Sequence, residues 1–315
     1  MRKYNLPIFI PHLGCPHDCA FCNQRKITGA GSDITPPKVE GMIESYLKTT
    51  EKNSKVEVAF FGGSFTGIDI TLQEEFLRTA NKFRDRIDGI RLSTRPDYIS
   101  KEILDLLEKY NVTEIELGAQ SSDDEVLLKN RRGHTFSDTV NSARMIKERG
   151  FSLGLQMMIG MFGSNEEKDI KTARDIIDLK PDSSRIYPTL VLKGTALAQM
   201  DYEPYSLEKA AEVASKIIEM FSENDIKILR IGLHESRDLQ DGSVLKGPYH
   251  PAFGEIAQGY IWRRKIEGMI KNGEFDGKVF CKASEVSKVV GHKKMNKNYF
   301  YDKYKIEIKP VIKGE

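Results

Sequence analysis

Short β-type runs alternate with amphipathic helical runs through the first 230 residues, and this rhythm narrows the possible folds more than any other feature. The strand-like runs are Leu6–His12, Val56–Phe61, Ile90–Ser93, Glu114–Gly118, Ser152–Met158, Ser184–Leu190 and Ile228–Ile231. Several are apolar almost throughout, the pattern of parallel strands covered on both faces. The stretches between them repeat apolar residues at helical spacing. Ile103, Leu104, Leu107 and Tyr110 follow a Ser100 N-cap, and Leu207, Ala210, Ala214, Ile217 and Phe221 follow Ser206. Thr71 with Glu74 reads as a capping box. Residues 136–149 and 165–179 read as helices that end at Gly150 and Pro181. Alternating β and α predicts a parallel sheet. Six such units predict an α/β chain with a partial (β/α)6 TIM-like barrel over residues 1–235. In such barrels the chemistry lies in the loops that follow the strands.

Past residue 235 the rhythm changes. Asp238–Pro251 is rich in Gly, Asp, Ser and Pro and reads as a long loop, with a helix near 252–271 after it. Lys278–Cys281, a helical stretch over 284–303 and Ile306–Ile312 predict a small α+β C-terminal domain over residues 236–315. Residues 261–315 carry 14 Lys or Arg against 7 Asp or Glu, although the whole chain is only +2. A basic piece of this kind is either a site for a polyanion or a solvated lysine-rich surface. Here it is expected to be a basic cap over the open side of the barrel, with His250 and Pro251 as candidates to line the site. No apolar run approaches the ~20 residues of a membrane span. The short apolar stretch Leu6–Ile10 has no small-residue cleavage site after it, so a cytoplasmic chain is expected.

Cysteines stand at 15, 19, 22 and 281. That is too few and too uneven for a disulfide scaffold in a chain this long. Cys281 reads as a buried, inert thiol on a strand. The other three form Cys15-Pro16-His17-Asp18-Cys19-Ala20-Phe21-Cys22, directly after the first strand. Three thiolates on a four-iron cubane leave one iron open to a ligand. Zinc is an alternative, with His12 or His17 as the fourth ligand. A thioredoxin-like pair would use Cys19 and Cys22 alone.

C-x3-C-x2-C with an aromatic residue before the last cysteine resembles the signature of the radical SAM superfamily. The resemblance implies that Cys15, Cys19 and Cys22 hold a [4Fe-4S] cluster, that S-adenosylmethionine (SAM) chelates the open iron, and that Phe21 lies beside the adenine. It also implies an electron donor such as flavodoxin or ferredoxin. The cofactor carries the radical chemistry; the protein aims and shields it.

The other strand ends supply further candidates. Gly62-Gly63-Ser64 is either a strand-to-helix turn or, in register after the cysteines, similar to the motif that holds the SAM amino group. Many members have Glu where this chain has Ser64, which leaves backbone carbonyls or the Ser64 hydroxyl for that task. Thr94 and Arg95 face either the ribose or carboxylate of SAM, or solvent. Gln120 and Arg132 suit a carboxylate, and Gln156 ends the fifth strand. Tyr187 and Lys193, around the sixth, are candidates for substrate binding or for proton or hydrogen transfer.

As a set, "STRPDY", "ELGAQS", "NRRGHT" and "IYPTLVLKGT" are similar to the radical SAM half of the Elongator catalytic subunit, over roughly residues 7–235. That resemblance implies tRNA or another nucleic acid as substrate. A small molecule or tetrapyrrole is the enzymatic alternative, since "GAQS" also occurs in relatives of oxygen-independent coproporphyrinogen III oxidase. A non-catalytic cluster- or zinc-binding module is the alternative from another class. The Elongator subunit spaces its first two cysteines further apart, and about 80 residues after the barrel are too few for its acetyltransferase domain, which is expected to be absent. Gly291-His292-Lys293-Lys294 resembles a KH-type G-x-x-G loop whose second glycine is replaced.

Overall fold

The computed structural model describes residues 3–10, 15, 19–22, 34–51, 54–233 and 242–312. Seven parallel strands curl into a half-barrel in simple sequence order: β1 (Lys3–Phe9), β2 (Lys55–Phe61), β3 (Gly89–Thr94), β4 (Val112–Gln120), β5 (Ser152–Ile159), β6 (Ser183–Pro188) and, at the far edge, β8 (Lys227–Ile231). Helices fill the crossovers: α1 (Pro36–Thr49), α2 (Ile70–Asn81), α3 (Lys101–Lys109), α4 (Asp124–Lys129), α5 (Phe136–Glu148), α6 (Glu166–Asp178) and α7 (Leu207–Glu223).

The two faces of the sheet differ. Val58, Phe60, Ile90, Leu92, Ile115, Leu117, Leu153, Leu155 and Ile186 are buried toward the helices in one continuous core. The alternate positions point into the barrel and are polar: Glu57, Arg91, Glu114, Glu116, Gln156, Arg185 and Tyr187. Arg91 lies 2.5 Å from Glu114, 2.7 Å from Glu116 and 3.6 Å from Glu57. Arg185 Nε donates to Glu116 at 2.5 Å. Burial, with Glu116 and Glu57 as neighbouring like charges, pushes the Glu114 carboxyl up, and Arg91 opposes the rise. The lumen is thus filled by a paired charge network rather than by branched apolar side chains.

Ser100 and Ser206 cap their helices as the sequence predicts. Thr71 does not. Asp69 is the N-cap of α2 and accepts from the Thr71 and Leu72 amides, while Glu74 turns outward to Lys109 and the Tyr110 hydroxyl. The run read as one strand to Leu190 stops at Pro188, and a separate short strand, β7 (Val191–Leu192), follows it outside the sheet. β7 pairs antiparallel with β9 (Val244–Lys246), so the stretch read as a long loop contains a short strand. Helix α8 (Phe253–Lys271) packs on α7 and leads into the C-terminal lobe.

That lobe is β10 (Lys278–Cys281), α9 (Val286–Val290), α10 (Met295–Tyr304) and β11 (Lys309–Ile312), with β10 and β11 parallel. Its own core gathers Ile266, Val279, Cys281, Val289, Phe300 and Ile308. The helical stretch over 284–303 is broken at Gly291, and Lys293 and Lys294 both take left-handed backbone. Cys281 is buried, as expected, and burial raises its thiol. Among the described residues, no helix is long and apolar enough to cross a membrane.

Candidate functional site

The cysteine loop is fastened from two sides. Ala20 N–H donates to the Asn130 carbonyl at 2.9 Å, and Leu197 N–H donates to the Ala20 carbonyl at 2.7 Å. Asn130 is fully buried and donates in turn to the Val126 and Phe162 carbonyls. Cys19 is buried, whereas Cys15 and Cys22 are half-buried. Phe21 joins an apolar cluster with Met158 and Tyr187 and also touches the one built on Val191 and Leu197.

Two cations face the thiols. Arg132 Nη1 donates to Cys19 Sγ at 3.1 Å, and its Nη2 donates to the Gly118 carbonyl at 2.8 Å. Arg132 Nε is buried without a hydrogen-bond partner among the described residues. Arg95 forks onto Asp97 at 2.8 and 2.9 Å and donates to the Arg132 carbonyl at 2.5 Å. Burial opposes the charge on Arg95, but the Asp97 pair outweighs it and holds the guanidinium above its usual range. Burial first, then Cys19, pushes the Cys15 thiol up, while Arg95 and Arg132 pull it down.

The neighbouring strand ends complete the surface. Gln120 ends β4 with φ +67°, left-handed backbone that a non-glycine residue adopts at a cost of about 1–3 kcal/mol. Its Oε1 accepts from Gln156 Nε2 at 3.2 Å. A Cβ on Gly118 would fall 2.8 Å from Gln120 Nε2 and 3.5 Å from Arg132 Nη2, so glycine there makes room for both side chains. Gly62 has φ +87°, and a Cβ on it would meet the Ile10 carbonyl at 2.8 Å; Gly63 follows at φ +56°. Ser64 is wholly buried. Its Oγ lies 2.7 Å from Thr94 Oγ1 and accepts the Arg95 N–H at 3.3 Å, which ties the end of β2 to the end of β3.

Tyr187 is half-buried beside Arg185, and burial pushes its phenol up. Lys193 stands on the exposed turn after β7, where its amide donates to the Ser243 carbonyl. His250 packs its ring on His292 of the lobe, centroids 4.7 Å apart. His12 and His17 lie outside the described residues.

Several residues of the site escaped the sequence reading. His134 is buried with both ring nitrogens unpartnered among the described residues, and burial, then Arg132 and Arg95, push it down to about 4. Asp97 is the counter-ion of Arg95. Glu114, Glu116 and Arg185 had a usable signal, charges at every second position of a strand.

Against known proteins, the model of the radical SAM superfamily matches residues 9–176. This chain belongs to the radical SAM superfamily. The model of the radical SAM C-terminal domain matches residues 181–263. The tRNA uridine(34) acetyltransferase of Methanocaldococcus jannaschii is 28% identical over 256 residues, covering 73% of this chain and 46% of the relative. Human Elongator complex protein 3 is 28% identical over 202 residues, covering 56% and 37%. The chain thus spans about half the length, or less, of these curated relatives. Among solved structures, an N-terminally truncated Elp3 from Methanocaldococcus infernus superposes with a TM-score of 0.63 at 24% identity, covering 87% of this chain and 64% of that one. The likeness shows the shared fold.

Membership implies a [4Fe-4S] cluster and SAM. The donor chemistry at this radical SAM site fits. One loop offers three thiols, and Arg132 and Arg95 beside them suit an anionic thiolate cluster. Among the described residues no three His, Cys, Asp or Glu side chains converge to metal-ligand spacing.

Proposed function

We propose that the chain is a radical SAM enzyme that acts on RNA, with tRNA as the substrate class. The observation that carries the catalytic part is the fastened thiol loop with Arg132 Nη1 at 3.1 Å from Cys19 Sγ. Cys15, Cys19 and Cys22 would hold the cluster. When bound, the cluster and SAM supply reductive cleavage of the sulfonium and, with it, hydrogen abstraction from carbon.

The chain's own groups do the rest. Arg132 compensates the charge of the thiolates and, with Gln120 and Gln156, offers donors to the methionine carboxylate. Gly62 and Gly63 let the backbone approach the amino group. Ser64 acts through Arg95, whose N–H its Oγ accepts, and Thr94 holds that Ser64 hydroxyl; both are positioning residues. Phe21 offers an apolar face to the adenine. Tyr187, in the same cluster as Phe21, would meet a substrate at the mouth of the barrel, and Lys193 one that crosses the rim. A one-electron donor of the flavodoxin or ferredoxin type is the redox partner.

The substrate class is supported by the relatives, which are named for action on tRNA uridine(34) or as Elongator subunits. Anaerobically reconstituted, reduced protein is expected to form 5′-deoxyadenosine, and the Cys19→Ala variant none. Protein that takes up only zinc and leaves SAM intact overturns the reading. For the substrate, a deletion strain is expected to lack one modified tRNA nucleoside; an unchanged nucleoside profile removes tRNA.

A further inference from the structure

Residues 264–315 lie beyond both family matches, and they carry the most one-sided charge of the chain. In the barrel many lysines are neutralised: Lys82, Lys109, Lys168, Lys209 and Lys216 all meet carboxylates. In the lobe, the ammonium groups of Lys278, Lys282, Lys293, Lys294, Lys297 and Lys309 meet no carboxylate among the described residues, although the amides of Lys278 and Lys282 donate to Asp276 and Glu285.

The geometry of these lysines is ordered by the β10–β11 pair. Val279 and Cys281 point into the lobe core, so Lys278 and Phe280 share the outward face, with Phe280 51% exposed. The parallel register sets Lys278 beside Lys309 and Phe280 beside Val311. Lys309 also borders a groove of about 370 Å³ against α10, with Lys297 and Tyr301 on its far wall. Tyr301 is 55% exposed. Asp302 and Glu307 line the groove as well, which keeps phosphates at its lysine rim. A strand face with an exposed aromatic ring, flanked by unneutralised lysines and followed by a second exposed ring, matches what single-stranded RNA requires. Rings stack bases, and lysines follow the backbone.

We propose that the outward face of β10–β11, continued into the Tyr301 groove, docks a single-stranded segment of RNA. Phe280 stacks one base, and Lys278 and Lys309 neutralise phosphates on either side of it. The inference rests on the reading that RNA is the substrate, and it assigns the binding of that substrate to a surface separate from the thiol loop.

The test uses the full reconstituted chain and a fluorescently labelled single-stranded oligoribonucleotide, followed by anisotropy over a salt series. Phe280→Ala is expected to weaken binding about tenfold, within the range for losing one stacked base. Lys278→Ala with Lys309→Ala is expected to lower the slope of log affinity against log salt by about 1.4, at roughly 0.7 per phosphate contact on a single strand. Cluster absorbance, substrate-free formation of 5′-deoxyadenosine and thermal melting are expected to stay at wild-type values in both variants. RNA affinity and salt slope unchanged by these substitutions overturn the inference while leaving the SAM chemistry intact. Loss of binding to anionic phosphatidylserine vesicles without loss of RNA binding assigns the face to a lipid surface and also overturns it. Absence of 5′-deoxyadenosine from every protein, wild type included, counts against the catalytic reading alone.

Discussion

The barrel interior and the C-terminal lobe both carry many charges, and they arrange them in opposite ways. Inside the barrel, Arg91 and Arg185 are locked onto Glu57, Glu114 and Glu116, with Arg91 buried and Arg185 largely so. In the lobe the lysines stand in solvent, and the one central carboxylate, Glu267, gathers the Tyr299 and Tyr304 hydroxyls and Lys303. Hydrogen bonds from these three groups hold Glu267 down to about 2 although its burial opposes them. The lesson lies in desolvation. A buried network is worth little against an apolar core of the same shape, yet removing one member is costly. An exposed set of like charges does little for the fold and is available to a partner.

The contrast can be broken at several points. The largest effect is expected at the loop: Cys19→Ala should reduce 5′-deoxyadenosine to background, while lobe melting and RNA binding persist. Next, Glu116→Ala strands Arg185 and leaves Arg91 to Glu114 and Glu57 alone, and urea denaturation should show a loss of about 3–5 kcal/mol. A loss under 1 kcal/mol would mean that water enters the lumen and the network is not buried in solution.

His134 gives a pH test. Its folded value is about 4 against 6.5 unfolded, so between these values the unfolded chain holds the extra proton and stability rises with pH. Cluster-free protein should therefore lose up to about 3 kcal/mol as pH falls from 6.5 toward 4. His134→Gln should flatten that part of the profile; an unflattened profile assigns the acid sensitivity elsewhere. The smallest effect is expected in the lobe. Glu267→Gln should cost about 1–2 kcal/mol from weakened charged hydrogen bonds. Hydrogen exchange should then speed up in α10 and leave β3 to β5 as they were.

The outward half of the barrel was legible because its residues repeat one message. Val58, Phe60, Ile90, Leu92, Leu153 and Leu155 read as strands and lie in the core. The inward half was not read, because Glu114 and Glu116 look like surface charges until the sheet curls and faces them with Arg91 and Arg185. A local pattern cannot announce a partner 69 residues away, as Arg185 is from Glu116. The α2 cap was misread for a related reason. Asp69 and Thr71 are both good caps, and the choice fell to backbone geometry. The β7–β9 ribbon is only two residues long on one side, too short for any period to show. At the site, the cysteine spacing supplied the three candidate donors. Arg132 became specific only when Gly118 was seen to leave space for it.

The fastening of Ala20 has a consequence for biogenesis. The loop's two backbone tethers come from Asn130 and Leu197, far downstream of the thiols they fix. Translation delivers Cys15, Cys19 and Cys22 well before Asn130 and Leu197, so both tethers exist only after the chain has been made past β7. Iron delivered to a nascent chain would find loose thiols and no pocket. Seating of these thiols accordingly follows synthesis of the chain through Leu197.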